Sequence, residues 1–168
     1  MPGEKFIKNV SGTLTETLAV QTGGGGNANK IPSLDAAGLL DVTMMPSGIG
    51  PDTAVVLTSE VLSAGNLVNV YNNAGTANVR KADATVAGKE ANGFVLAAFG
   101  SGVSATVYFE GPNTQMSALT PGQNFLATTA GGATVTVPSA AGNVVQRVGI
   151  ALSATILNFE AQPPIVLA

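Results

Sequence analysis

Apolar and polar positions alternate through residues 1–22, MPGEKFIKNVSGTLTETLAVQT, where Phe6, Val10, Leu14, Leu18 and Val20 stand among Ser and Thr. The short period and the β-branched content predict an extended, strand-like arm rather than a helix. Residues 23–29, GGGGNAN, read as a flexible hinge, because four consecutive Gly hold no single backbone conformation cheaply. Arm and hinge together occupy residues 1–28. In the following stretch, 29–50, Pro32 and Pro46 bracket KIPSLDAAGLLDVTMMP, Asp35 stands before Ala-Ala-Gly as a turn signal, and Asp41 is placed to cap a short helical turn through Met44 and Met45. This stretch has too few apolar residues for a core of its own, and it reads as a docking segment.

From residue 51 to 168 the pattern changes. Short runs rich in Val, Leu, Thr and aromatics (AVVLTSEVL, NLVNVYN, ANVRKA, GFVLAAF, SATVYFEG, NFLATT, ATVTVP, VVQRVGIAL, ATILNF, PIVLA) alternate with turn clusters such as Asn-Asn-Ala-Gly, Gly-Ser-Gly, Gly-Pro-Asn and Ala-Gly-Gly. No stretch keeps a helical period, so the prediction is an all-β domain, a barrel or sandwich. An internal repeat refines it. VLSAGNLVNVYNNAG (61–75) aligns with ALTPGQNFLATTAGG (118–132), placing Gly65 over Gly122 and Gly75 over Gly132, each pair 57 residues apart. GFVLAA (93–98) then matches GIALSA (149–154), and SATVYFE (104–110) matches SATILNFE (153–160), with the second half shortened. Two copies of one multi-strand unit predict a barrel or sandwich of two pseudo-repeated halves, each burying the apolar face the other cannot.

Composition removes most chemistry. The 168 residues include no Cys, no His and no Trp, and only 10% are charged. Without thiolate or imidazole there is no disulfide framework, no Ser-His-Asp triad and no Cys- or His-ligated metal. Seven basic and ten acidic residues leave a net charge of −3, which argues against a nucleic-acid partner. Soluble domains average about 25% charged residues; a chain this neutral is expected to cover much of its surface with copies of itself or a larger assembly. The most apolar stretches, 93–100 and 144–157, are too short and interrupted to span a bilayer, and the first residues lack the apolar run of a secretory signal. No membrane association is expected, and production in a cytoplasm is.

Few residues remain that could carry chemistry. The glycine tract fails as a phosphate loop: Lys30 lies four residues beyond Gly26, and no Ser or Thr follows it. The carboxylates are scattered, with no Asp-x-Asp ligand cluster. Glu110 and Glu160 are matched residues of the repeat, each ending a strand before a Pro-containing turn, so strand-end solvation accounts for them. No catalytic activity and no cofactor are expected. Arg80 and Lys81 form the only adjacent basic pair; Lys81 would share a strand face with Asp83, as a local ion pair or as a subunit contact. Arg147 sits in VVQRVGIAL, with Val145 and Gly149 on its own face and Val144, Gln146, Val148 and Ile150 on the other. A buried Arg there would need a carboxylate, and an interface would supply one. The aromatics read as core; Tyr108 and Phe109 point to opposite strand faces, which predicts that one of them is exposed or at an interface.

The segment Asn-Lys-Ile-Pro-Ser-Leu-Asp-Ala-Ala-Gly-Leu-Leu-Asp-Val-Thr-Met-Met-Pro (29–46) resembles one common in virion proteins of tailed phages, with Asn29 where the usual pattern has Gly. The following domain, with LSAGNLVNVY, VRKADA, KEANGFV, LTPG and VVQRVGIALSAT, is similar to the β domain of phage head decoration (capsid cement) proteins. The likeness covers nearly all of the chain after residue 28. It implies a homotrimer bound to the major capsid protein on the outside of a capsid, a structural virion protein assembled in the host cytoplasm. A tail-fibre or receptor-binding module is the alternative, since both kinds of protein use such segments. An arm of this kind can add to a neighbouring sheet edge. The expected capsid or subunit contacts are Phe6, Val10, Leu14 and Leu18 of the arm; Lys30, Ile31, Leu34, Leu39, Leu40, Met44 and Met45 of the docking segment; and Arg80, Lys81 and Arg147.

Overall fold

A computed structural model describes residues 5–46 and 50–168, and their regular structure is β-strand apart from two short 3-10 turns. The chain divides into two compact units, Met1–Gly50 and Pro51–Ala168.

The first unit begins with a hairpin, not the single extended strand expected. Strands β1 (Lys5–Val10) and β2 (Thr13–Leu18) pair antiparallel from Lys5↔Leu18 to Val10↔Thr13. The turn is Ser11-Gly12, with φ of 50° and 88°, the two left-handed residues of a type I′ hairpin. Asn9 Oδ1 accepts the Gly12 amide at 2.9 Å. Folding back changes the faces: Phe6 and Val10 now lie with Thr13, Thr15 and Thr17, and Leu14 and Leu18 lie opposite them with Ile7. The apolar residues of the expected arm thus lie on both faces of the hairpin.

The glycine tract is not a bare hinge either. Gly25–Asn27 forms a 3-10 turn, and the Gly23 amide donates to Thr43 Oγ1 at 2.7 Å. A Cβ at Gly23 would run into the Thr43 carbonyl. Val20 bridges Pro32 in parallel, donating to the Ile31 carbonyl at 3.0 Å and accepting from the Ser33 amide at 2.8 Å. Residues 20–45 are therefore tied into one structure, across the position where hinge and docking segment were separated. Asn29 has φ 63°, a left-handed conformation that Asn adopts more readily than most residues. Residues 1–4 of the expected arm lie outside the described residues.

In the second unit the repeat governs topology. Strands β3 (Thr53–Thr58), β4 (Leu67–Asn73), β5 (Thr76–Lys81), β6 (Gly93–Phe94) and β7 (Ser104–Tyr108) form a closed barrel in the order β3-β5-β4-β6-β7, shut by the parallel pair β3–β5 at Leu57↔Asn78 and Thr58↔Val79. Strands β8 (Gly111–Asn113), β9 (Gly122–Leu126), β10 (Ala133–Thr134), β11 (Val144–Val145), β12 (Arg147–Ala151), β13 (Leu157–Phe159) and β14 (Ile165–Val166) follow. Five of them form an open sheet in the order β10-β9-β12-β13-β8, and β11 pairs with β14. The open sheet repeats the barrel order β5-β4-β6-β7-β3, strand for strand. The Phe94↔Tyr108 pair of β6 and β7 recurs as Ile150↔Asn158 in β12 and β13. Gly-Pro-Asn 111–113, expected as a turn, is the strand β8.

There are two cores, and only one is shared. The first half fills the barrel by itself, so the expectation that each half buries only the other's apolar face holds for the second core alone. Val56, Leu62, Val68, Val79, Val95, Ala105 and Val107 fill the barrel. Leu67, Ala84, Ala91 and Phe94 pack with Leu126, Val148, Leu157 and Phe159 between barrel and open sheet. Tyr108 packs on the second cluster and Phe109 on the first; both are half-buried, so of the two expected outcomes, exposure or an interface, full exposure is not seen. Main-chain bonds cross between the halves, from Leu67 to the Gly131 carbonyl and from Ala84 to the Ala127 carbonyl. The buried Gln146 side chain clamps Ala91, accepting its amide at 2.8 Å and donating to its carbonyl at 3.0 Å.

Candidate functional site

Not one described residue of the first unit is fully buried. Its shape is held by local polar bonds instead. Asp35 Oδ1 accepts from the amides of Ala37 and Leu39 at 2.8 and 2.9 Å, and the Gly38 amide returns to the Asp35 carbonyl. Asp41 caps the second 3-10 turn, Val42–Met44, as its sequence position predicted; its Oδ1 accepts from the Thr43 amide at 2.8 Å and from the Thr43 hydroxyl. These bonds, the hydroxyl's first, hold the Asp41 carboxyl below its ordinary value. The two aspartates of residues 29–46 are thus turn-forming residues, and the leucines beside them are exposed.

That leaves an apolar surface without a core. Ile31, Leu34, Leu39, Leu40 and Met45 are exposed, Leu39 by 63%, and Met44 is half-buried. In the hairpin Ile7, Val10, Leu14 and Leu18 are exposed, Leu14 by 70%, and Phe6 is half-buried. Lys30 Nζ donates to Asn27 Oδ1 at 3.3 Å. Lys5 and Glu16 pair across the hairpin at 2.8 Å, the one ion pair among the described residues; so exposed a pair contributes little.

Within the chain, the basic residues of the second unit make the following contacts. Arg80 lies over the Tyr71 ring, 4.1 Å from its centroid, and donates to Asn69 Oδ1 at 3.0 Å and to the Gly88 carbonyl at 2.7 Å. It holds the loop 83–92 against the barrel wall. The expected Lys81–Asp83 pair does not form: the Lys81 amide donates to Glu60 Oε1, and Asp83 Oδ1 accepts from the Thr85 amide and hydroxyl. Arg147 is half-buried, and no carboxylate pairs with it among the described residues. Its predicted faces are broken by a bulge between Arg147 and Gly149, which leaves Val148 buried and Ile150 exposed.

Glu110 and Glu160 line the same cleft, a shallow one of about 450 Å³ that they share with Asp52, Pro112, Asn158 and Phe159. No group of three or more acidic side chains among the described residues is placed to hold a metal ion. A larger cleft of about 700 Å³ lies between residues 115–118 and 133–140, floored by Ala64, Gly65 and Asn66. Its lining bears no charge, so no charged or aromatic motif marks it in the sequence.

No protein-family model matches the chain, and neither a curated protein nor a solved structure does.

Proposed function

We propose that this chain is a structural virion protein, a decoration protein that binds the outside of a tailed-phage capsid as a homotrimer and stabilises the shell. The observation that carries the proposal is the first unit. It bears the virion-type segment, folds through its own Asp-capped turns, and presents Ile31, Leu34, Leu39, Leu40 and Met45 without a core to bury them. An apolar surface on a unit with no interior gains most when a partner covers it. The wide neutral surface of the second unit supports the same reading, since shape and sheet edges serve an assembly without charged contacts. Modest contacts per copy then add up over a shell.

The test uses the full-length chain with capsid shells lacking decoration. Wild type should co-sediment with shells, and Leu34→Asp with Leu39→Asp should abolish co-sedimentation while the β-sheet circular dichroism is kept. Antibody labelling of virions should decorate heads at many sites. Label confined to the tail would replace this reading with the tail-fibre alternative.

A further inference from the structure

We infer that the cleft left where the second sheet fails to close receives the tip of the N-terminal hairpin from another copy of the same chain. The inference deepens the trimer proposed above. It concerns contact between copies and does not depend on what the trimer binds.

The internal repeat identifies the gap. In the barrel β3 has six residues and reaches β5, closing the sheet through a parallel pair. Its counterpart β8 has three residues and pairs with β13 alone, and its end is diverted: Asn113 Nδ2 donates to the Gly65 carbonyl at 2.9 Å. Both β8 and β10 are consequently edge strands. The 700 Å³ cleft lies between the segments that follow them. The amides of Met116 and Ser117 on one wall and of Val137 and Ser139 on the other donate to no protein group among the described residues. Such walls suit an extended chain that brings its own main-chain donors and acceptors.

The hairpin has the complementary deficit. Two strands alone are marginally stable in water and gain from a third. Its tip, Asn9–Thr15, is uncharged between Lys8 and Glu16, matching a cleft whose lining is also uncharged. Val10 and Leu14 are exposed on opposite faces of the tip, so a slot with two walls covers both. Hairpin and cleft are different surfaces of one chain, hence each copy gives one contact and receives one. A head-to-tail contact of this kind closes into a ring when the rotation permits.

The native chain has no cysteine, so engineered thiols report only the positions chosen. Leu14→Cys and Thr136→Cys, both at exposed positions, are made in separate full-length chains and mixed under mild oxidation without any shell. A disulfide-linked dimer containing one chain of each kind is expected. Adding Val137→Arg to the Thr136→Cys chain should abolish it. In parallel, sedimentation should show wild type as an assembly and the Val10→Lys, Leu14→Lys double variant as a monomer with unchanged β-sheet circular dichroism. Absence of the mixed dimer, dimers of Leu14→Cys chains alone, or a monomeric wild type would overturn the inference. Shell co-sedimentation is scored separately, so failure of shell binding is distinguishable from failure of hairpin exchange.

Discussion

Phe94 of β6 and Phe159 of β13 meet edge to face, with ring centroids 5.5 Å apart and planes at 62°. One ring comes from each half of the repeat, and both are essentially buried. Phe94 also stacks on Tyr108 at 5.4 Å, which links the contact to the barrel wall. The core between the halves is centred on this pair, whereas the barrel interior is a separate cluster. Phe159→Ala should therefore cost about 3–5 kcal/mol, the range for losing a buried aromatic ring. Urea unfolding followed by circular dichroism measures it. A loss below about 1 kcal/mol would mean that the shared core contributes little to holding the halves together.

Gly149 is constrained twice. Its φ of 145° lies in the region other residues avoid, and a Cβ would collide with the carbonyl oxygen of Asn158 on the neighbouring strand. The bulge it permits turns Val148 inward and Ile150 outward. Gly149→Ala should destabilise by more than about 1 kcal/mol, since no relaxation relieves both constraints. Thermal melts of the two proteins give the comparison. An unchanged melting temperature would mean that the bulge tolerates a side chain.

The same position shows how far the sequence could be read. Alternation placed strands throughout residues 51–168, and the aligned repeat anticipated two related halves, because both depend on short-range periodicity. Alternation assumes an unbroken strand, however, and the one extra residue between Arg147 and Gly149 reverses every face beyond it. Ser11-Gly12 did the same to the arm. Ser is an uncommon first residue for a type I′ turn, so the hairpin signal was weak. Asp35 and Asp41 were legible as turn residues because a short polar side chain bonds its own neighbourhood. Arg80 was not, since its partners Tyr71, Asn69 and Gly88 are brought together only by strand pairing and a folded-back loop.

That Arg80 network carries its own expectation. Cation–π contact and two hydrogen bonds together hold the loop 83–92, with Asn69 also donating to the Glu90 carbonyl and to Asn92 Oδ1. Arg80→Ala should cost about 1–2 kcal/mol and speed amide exchange in residues 83–92 more than elsewhere. Arg80→Lys keeps the charge but not the planar fork, and should fall between wild type and Ala. Exchange measured by mass spectrometry decides it. If Arg80→Ala left the loop as protected as before, the barrel wall alone would account for its order.

Asp41 gives the pH dependence. The Thr43 hydroxyl, and then the Thr43 amide, bond the ionised carboxylate and hold its pKa below the ordinary 3.8. A carboxyl depressed in the folded state contributes stability that is fully present above its unfolded value and is lost as the pH falls through its folded value. The cap on Val42–Met44 should therefore persist at neutral pH and loosen only under strong acid. Followed by NMR, the Thr43 amide shift should titrate with a midpoint below 3.8. Asp41→Asn should remove that titration while largely preserving the turn, because an Asn side chain also caps, whereas Asp41→Ala should lose both. A midpoint at or above the ordinary aspartate value would show that Thr43 does not hold the carboxylate.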